Sequence, residues 1–188
     1  MSRAALVSTL SVIALSCAWS YRADAMCGGG GGGGSNYPTV KWDSSEESAR
    51  SAAAAKTQAY AIYFCSEEVA TYAGEGKTGH DAYLKANRNK PGLPTPFDQT
   101  AVVSQLKKAE IEHCVKVVLN KSNESLIKKY GGSMNTLVIC APSGEALLRL
   151  EGQSCCQSGV TASLKDLGGY MTAWQKNHKS TAVTESTR

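Results

Sequence analysis

The residues with the clearest chemical potential in this chain are its cysteines, at positions 17, 27, 65, 114, 140, 155 and 156. Thiol–disulfide exchange needs an accessible thiolate and a second cysteine placed to resolve the mixed disulfide. Cys65 closes the apolar run "YAIYFC" at 60–65, just before a predicted helix whose N-terminus would lower a nearby thiol pKa. Glu67 and Glu68 put negative charge at the same helix start and oppose a thiolate. Cys155 and Cys156 are vicinal, in a polar loop. They are open to an adjacent disulfide, to pairing with another cysteine, or to a soft metal. Zinc needs about four ligands at set spacing, and no Cys-x-x-Cys or nearby histidine supplies them. No metal and no cofactor is therefore assigned. Packing is the competing explanation for Cys65, Cys114 and Cys140, because each lies within or at the end of an apolar run. His80, His113 and His178 are scattered, with no nucleophile beside them in sequence, so a hydrolytic triad has no support.

These side chains need a scaffold, and the chain is long enough for one. Its 188 residues suit one domain with appendages. A net charge of +4, with no basic cluster, reads as a solvated surface and not as a nucleic-acid footprint. Residues 1–25 carry Arg3, an apolar stretch from Ala4 to about Trp19, and the small-x-small site Ala23-Asp24-Ala25. That is the layout of a secretory signal peptide. The expected location is therefore periplasmic or extracellular, with membrane contact only if this segment is retained as an anchor. Neither Cys17 nor Cys27 follows a bacterial lipobox. Cleavage after Ala25 removes Arg3, Arg22 and Asp24 and leaves six cysteines in a compartment where disulfides form. Residues 26–41 contain the run Gly28–Gly34, a flexible tether of roughly 15 Å r.m.s. length.

The ordered domain is expected over 42–176. Ser44 and Glu47 fit a capping box ahead of an alanine-rich helix. "YAIYFC" is a buried strand. Helices are predicted near 66–73 and 79–88, with an insertion within about 74–97. Asp98 is expected to cap a helix bearing Val102, Leu106 and Ala109. "CVKVVL" at 114–119 is the next strand, and Ser122 opens a short helix closed by Gly131-Gly132. "TLVICA" and "ALLRLE" flank the turn "PSGE" as an antiparallel hairpin. A last helix aligns Val160, Leu164, Leu167, Met171 and Trp174 on one stripe. Residues 177–188 read as a disordered tail. A right-handed crossover makes 60–65 parallel to 114–119. The fold class is α/β, a mixed sheet of four to five strands with helices on both faces.

This order resembles the thioredoxin-like superfamily, and the residues agree. "W..S.EESARSAAAAK" with "YAIYF" looks like the lead helix and first core strand of exported thioredoxin-like domains. "VKVVLNKSNESLIKKYGGSMNTLVICAPSGEALLRLEG" looks like their C-terminal half, with Tyr130, Thr136, Gly144 and Gly152 on matching places. The resemblance implies where a Cys-x-x-Cys pair would begin, five residues after Phe64. That window reads Val69-Ala70-Thr71-Tyr72. It also maps the family's cis-proline onto Asn135. The expected function is therefore an exported, non-catalytic module that binds a protein or peptide partner. The alternative is an atypical thiol oxidoreductase using Cys65 with Cys155 or Cys156. In this topology Cys114 and Cys140 lie at the far end of the sheet from Cys65, about 10 Å from each other, and are expected as buried free thiols.

Overall fold

The computed structural model describes residues 38–86, 95–152 and 157–185. Its elements are α1 (Glu46–Lys56), β1 (Tyr60–Cys65), α2 (Glu67–Ala70), α3 (Gly76–Ala86), α4 (Thr100–Lys108) and β2 (His113–Val118), followed by α5 (Glu124–Tyr130), β3 (Thr136–Cys140), β4 (Ala146–Glu151), α6 (Gln157–Lys165) and α7 (Leu167–Glu185). The strands form one four-stranded sheet in the order β2-β1-β3-β4. β1 and β2 are parallel, while β3 is antiparallel to both β1 and β4. This is the mixed sheet expected from the sequence.

β1 is buried along its whole length, so its alternation divides the core in two. Tyr60, Ile62 and Phe64 face α1 and α5, packing with Ala49, Ala53, Val115, Val117, Tyr130 and Val138. Ala61, Tyr63 and Cys65 face the other side, among Phe97, Val102, Leu106, Leu137, Ile139 and Val160. The helices on both faces follow directly, because each sheet face must bury its apolar side chains against something.

Several local expectations shift. The cap of α1 is Ser45, whose Oγ accepts from the Ser48 amide at 3.1 Å, and not Ser44. The two serines are chemically equal, so the sequence alone does not choose between them. Asp98 does not cap α4. Its carboxylate accepts from Thr95 N at 3.2 Å, from Thr95 Oγ1 at 2.7 Å and from Gly74 N at 3.2 Å. It thereby closes a 3-10 turn at Pro96–Asp98, and α4 starts from Gln99 with no side-chain cap. Asn120, not Ser122, opens the next helical stretch, accepting from Asn123 N at 3.2 Å within a 3-10 turn at Lys121–Asn123. Gly131 ends α5 in the left-handed region, as expected, at φ 62°. The single last helix is instead two, α6 and α7, with Asp166 between them. α7 continues to Glu185, past the point where a tail was expected to begin.

Candidate functional site

The Cys65 end of the sheet is where the resembled family places its chemistry. Cys65 is fully buried, at 0% exposure, and belongs to the packed core of its face. Burial pushes its thiol up to about 11, and the nearby charge of Lys116 offsets only part of that rise. That environment favours the neutral thiol, and Cys65 packs as a small core residue.

α2 covers it. Ser66 caps this one-turn helix, its Oγ accepting from Val69 N at 3.2 Å. Val69 and Ala70 pack against the core cluster that contains Cys65. Tyr72 is buried and packs against Tyr83, the rings tilted 54° with centroids 4.7 Å apart. Two of the four positions that would carry a cysteine pair are thus packed against the core, and a third is buried.

Lys116 holds the segment down. Paired in register with Tyr63, it sits on the same sheet face as Tyr63 and Cys65. Its ammonium donates to the carbonyls of Ala70 at 2.8 Å and Ala73 at 3.3 Å, and pairs with Glu75 at 2.5 Å. It also lies 4.7 Å from the centre of the Trp42 ring. The side chain is only 15% exposed. The sequence did carry a signal for this residue, a lysine at the alternate position of the apolar run "CVKVVL". Its partners lie more than 40 residues away, so its role was not visible.

Asn135 stands where the family's cis-proline would be. Its backbone is left-handed, at φ 59°, a region asparagine tolerates better than most residues. Its side-chain Oδ1 accepts from the Tyr63 hydroxyl at 2.8 Å. Among the described residues no peptide bond is cis. Met134, beside it, is 54% exposed. The loop is seated directly on the sheet: a Cβ at Gly132 would lie 2.4 Å from Cδ1 of Phe64.

The structure brings no second cysteine to Cys65 among the described residues. Cys114 is paired in register with Ala61 and Cys140 with Tyr60, both at the far end of β1. They also face opposite sides of the sheet, one in each core cluster. Cys65, Cys114 and Cys140 are all buried free thiols. Burial pushes Cys114 and Cys140 each up to about 12. Cys155 and Cys156, the other candidates for exchange, lie outside the described residues, as do Cys27, the signal segment and the glycine run. Among the described residues no three histidine, cysteine, aspartate or glutamate side chains are grouped to hold a metal. His113 meets Asp43 at 3.3 Å, but its other ring nitrogen is enclosed, so no nucleophile is served by the pair.

The sequence matches no protein family and no curated protein. It is similar at low identity to several solved structures, three of which follow. One is a DsbH oxidoreductase, 14% identical, covering 69% of this chain and 88% of that one, with a TM-score of 0.44. Another is a thioredoxin from Thermus thermophilus, 17% identical, covering 74% and 95%, with a TM-score of 0.49. The third is a disulphide isomerase from Xylella fastidiosa Temecula1, 12% identical, covering 69% and 98%, with a TM-score of 0.38. The chain's own sheet order, its parallel β1–β2 pair, its antiparallel β3–β4 hairpin and its helices on both faces give it a thioredoxin-like fold.

Proposed function

We propose that this chain is a non-catalytic thioredoxin-like module that binds a protein or peptide partner at the Cys65 end of its sheet. The observation that carries the reading is the state of Cys65, which is fully buried with its thiol pushed up to about 11. Exchange requires a thiolate that a substrate disulfide can reach. The window Val69–Tyr72 has no cysteine, and Lys116 ties the adjoining carbonyls. The same end keeps an exposed loop, with Met134 and Asn135, on a rigid sheet. A loop held by a scaffold is where binding surfaces are commonly built.

An insulin-turbidity assay with dithiothreitol as electron donor tests the catalytic half of the reading. The expected rate is that of dithiothreitol alone. A thioredoxin-like rate that disappears in Cys65→Ser overturns it. The binding half is tested with a photo-crosslinking residue at Met134, compared with one at Leu84 on α3, which is similarly exposed at 51%. Crosslinks specific to position 134 are expected. Equal yields at both positions remove the sheet end as the contact surface.

A further inference from the structure

On the opposite face of the sheet, one carboxylate ties together four parts of the fold. Glu46, in the first turn of α1, has a side chain only 10% exposed. Its Oε1 accepts from the hydroxyl of Tyr60 on β1 at 2.6 Å and from the hydroxyl of Tyr130 on α5 at 2.8 Å. The two phenol oxygens are 3.2 Å apart. The Tyr130 oxygen is also 3.2 Å from the carbonyl of Gly144, in the β3–β4 turn.

Counting protons shows that these contacts are not all satisfied at once. Each phenol carries one hydrogen. With Glu46 ionised, both hydrogens point at Oε1, and the Gly144 carbonyl receives none from Tyr130. Adding one proton to Oε1 makes Glu46 a donor. A consistent arrangement then runs from Glu46 to the Tyr60 oxygen, from Tyr60 to the Tyr130 oxygen, and from Tyr130 to the Gly144 carbonyl. Three hydrogens then meet three acceptors. α1 loses its bond to α5, and α5 becomes tied to the turn instead.

We propose that Glu46 is an acid-sensitive latch, in which uptake of one proton reverses this relay and frees the first turn of α1 from α5. The charged and titratable groups facing the carboxylate are Arg50 from α1 itself, Tyr60 from β1, Lys129 and Tyr130 from α5, and Cys140 from β3. Lys129 Nζ stands 3.6 Å from Oε1 and loses its counter-charge when the proton arrives. Burial by itself pushes Glu46 up. The two phenol bonds and the charges of Lys129 and Arg50 outweigh burial and hold it below the ordinary glutamate range. A carboxylate depressed in the folded state stabilises the fold above its unfolded value. That contribution is lost as the pH falls through the folded value. The latch therefore opens only as the pH falls below the ordinary glutamate range.

Its consequence reaches the opposite face through the chain. The residues just before α1 strap the outer edge of β2: the Asp43 amide donates to the Cys114 carbonyl at 2.7 Å, and Trp42 lies over Lys116. Freeing the start of α1 loosens the anchor of that strap.

Amide hydrogen exchange on the full chain, corrected for intrinsic rates, tests this between pH 6 and pH 3. Wild type is expected to gain at least tenfold in opening at the amides of Asp43 and Ala49 as the pH falls. In Glu46→Gln these amides are expected to exchange fast at pH 6 already, with little further change. An unchanged wild-type pH profile in Glu46→Gln overturns the proposal. Should that variant not fold, carbon-13 titration of the Glu46 carboxyl in wild type decides the matter. Opening that tracks its protonation is expected. Opening that occurs while Glu46 is still ionised overturns the latch.

Discussion

Replacing Lys116 with methionine removes the ammonium and keeps most of the chain length that packs beside Trp42. Hydrogen bonds to a charged group contribute about 1.5–3 kcal/mol each. The Ala70 bond at 2.8 Å counts in the middle of that range, while the Ala73 bond at 3.3 Å lies beyond the usual N–H···O range and adds almost nothing. Glu75 is 41% exposed, so water restores much of its solvation when the ion pair is lost, and that pair adds little. The cation–π contact to Trp42 adds about 0.5–1 kcal/mol. The sum is about 3 kcal/mol, a large share of a stability of about 5–15 kcal/mol. At about 2–4 °C per kcal/mol, thermal unfolding is expected to fall by roughly 6–12 °C. The loss should be local first. Amides from Thr71 to Glu75 should exchange about 100-fold faster, since each 1.4 kcal/mol is about tenfold. Removing the positive charge also pushes the Cys65 thiol higher, so the variant should not become more thiol-reactive through that route. A melting shift under about 2 °C, with unchanged exchange in this segment, would refute the view that Lys116 clamps α2.

Two further outcomes follow from burial. In the native protein at pH 8, Cys65, Cys114 and Cys140 should resist an aromatic disulfide reagent and all react in denaturant, because burial pushes all three thiols well above that pH; rapid native labelling of Cys65 would contradict its placement. Gly132→Ala drives a Cβ to 2.4 Å and 2.5 Å from two ring carbons of Phe64, itself 0% exposed. Overpacking of this kind costs about 1–3 kcal/mol. The urea midpoint should therefore drop with the slope unchanged; an unshifted midpoint would mean that the loop is not seated on that ring.

The sheet was legible in the sequence because its signals are local. "YAIYFC" is apolar at every position, and the structure buries it on both faces. "PSGE" between two apolar runs is a short turn, and β3 and β4 pair around it. The helix starts were legible only to within a residue or two. Ser44 and Ser45 offer the same oxygen, and tertiary contacts choose between them. Asp98 read as a cap because it precedes a helical pattern, yet Thr95 and Gly74 compete for its carboxylate and win. Nothing local sets Glu46 apart from any other acid in the first turn of a helix. Its partners Tyr60 and Tyr130 lie 14 and 84 residues away, and no local pattern encodes them.

The same division explains the site. That Val69–Tyr72 lacks cysteine could be read from the sequence alone, but what fills the space could not. A positive charge beside a cysteine can work in either of two ways. It can stabilise a thiolate, or it can stabilise whatever else it binds. Here Lys116 has one ammonium, and it is held by two carbonyls and a carboxylate. Its pull on Cys65 remains, but it is the smaller influence, and burial keeps the thiol protonated. Exposing Cys65 to an incoming disulfide would mean lifting α2, and lifting α2 would break the bonds that Lys116 makes. The contacts that keep this end of the fold closed are therefore the ones that keep Cys65 buried.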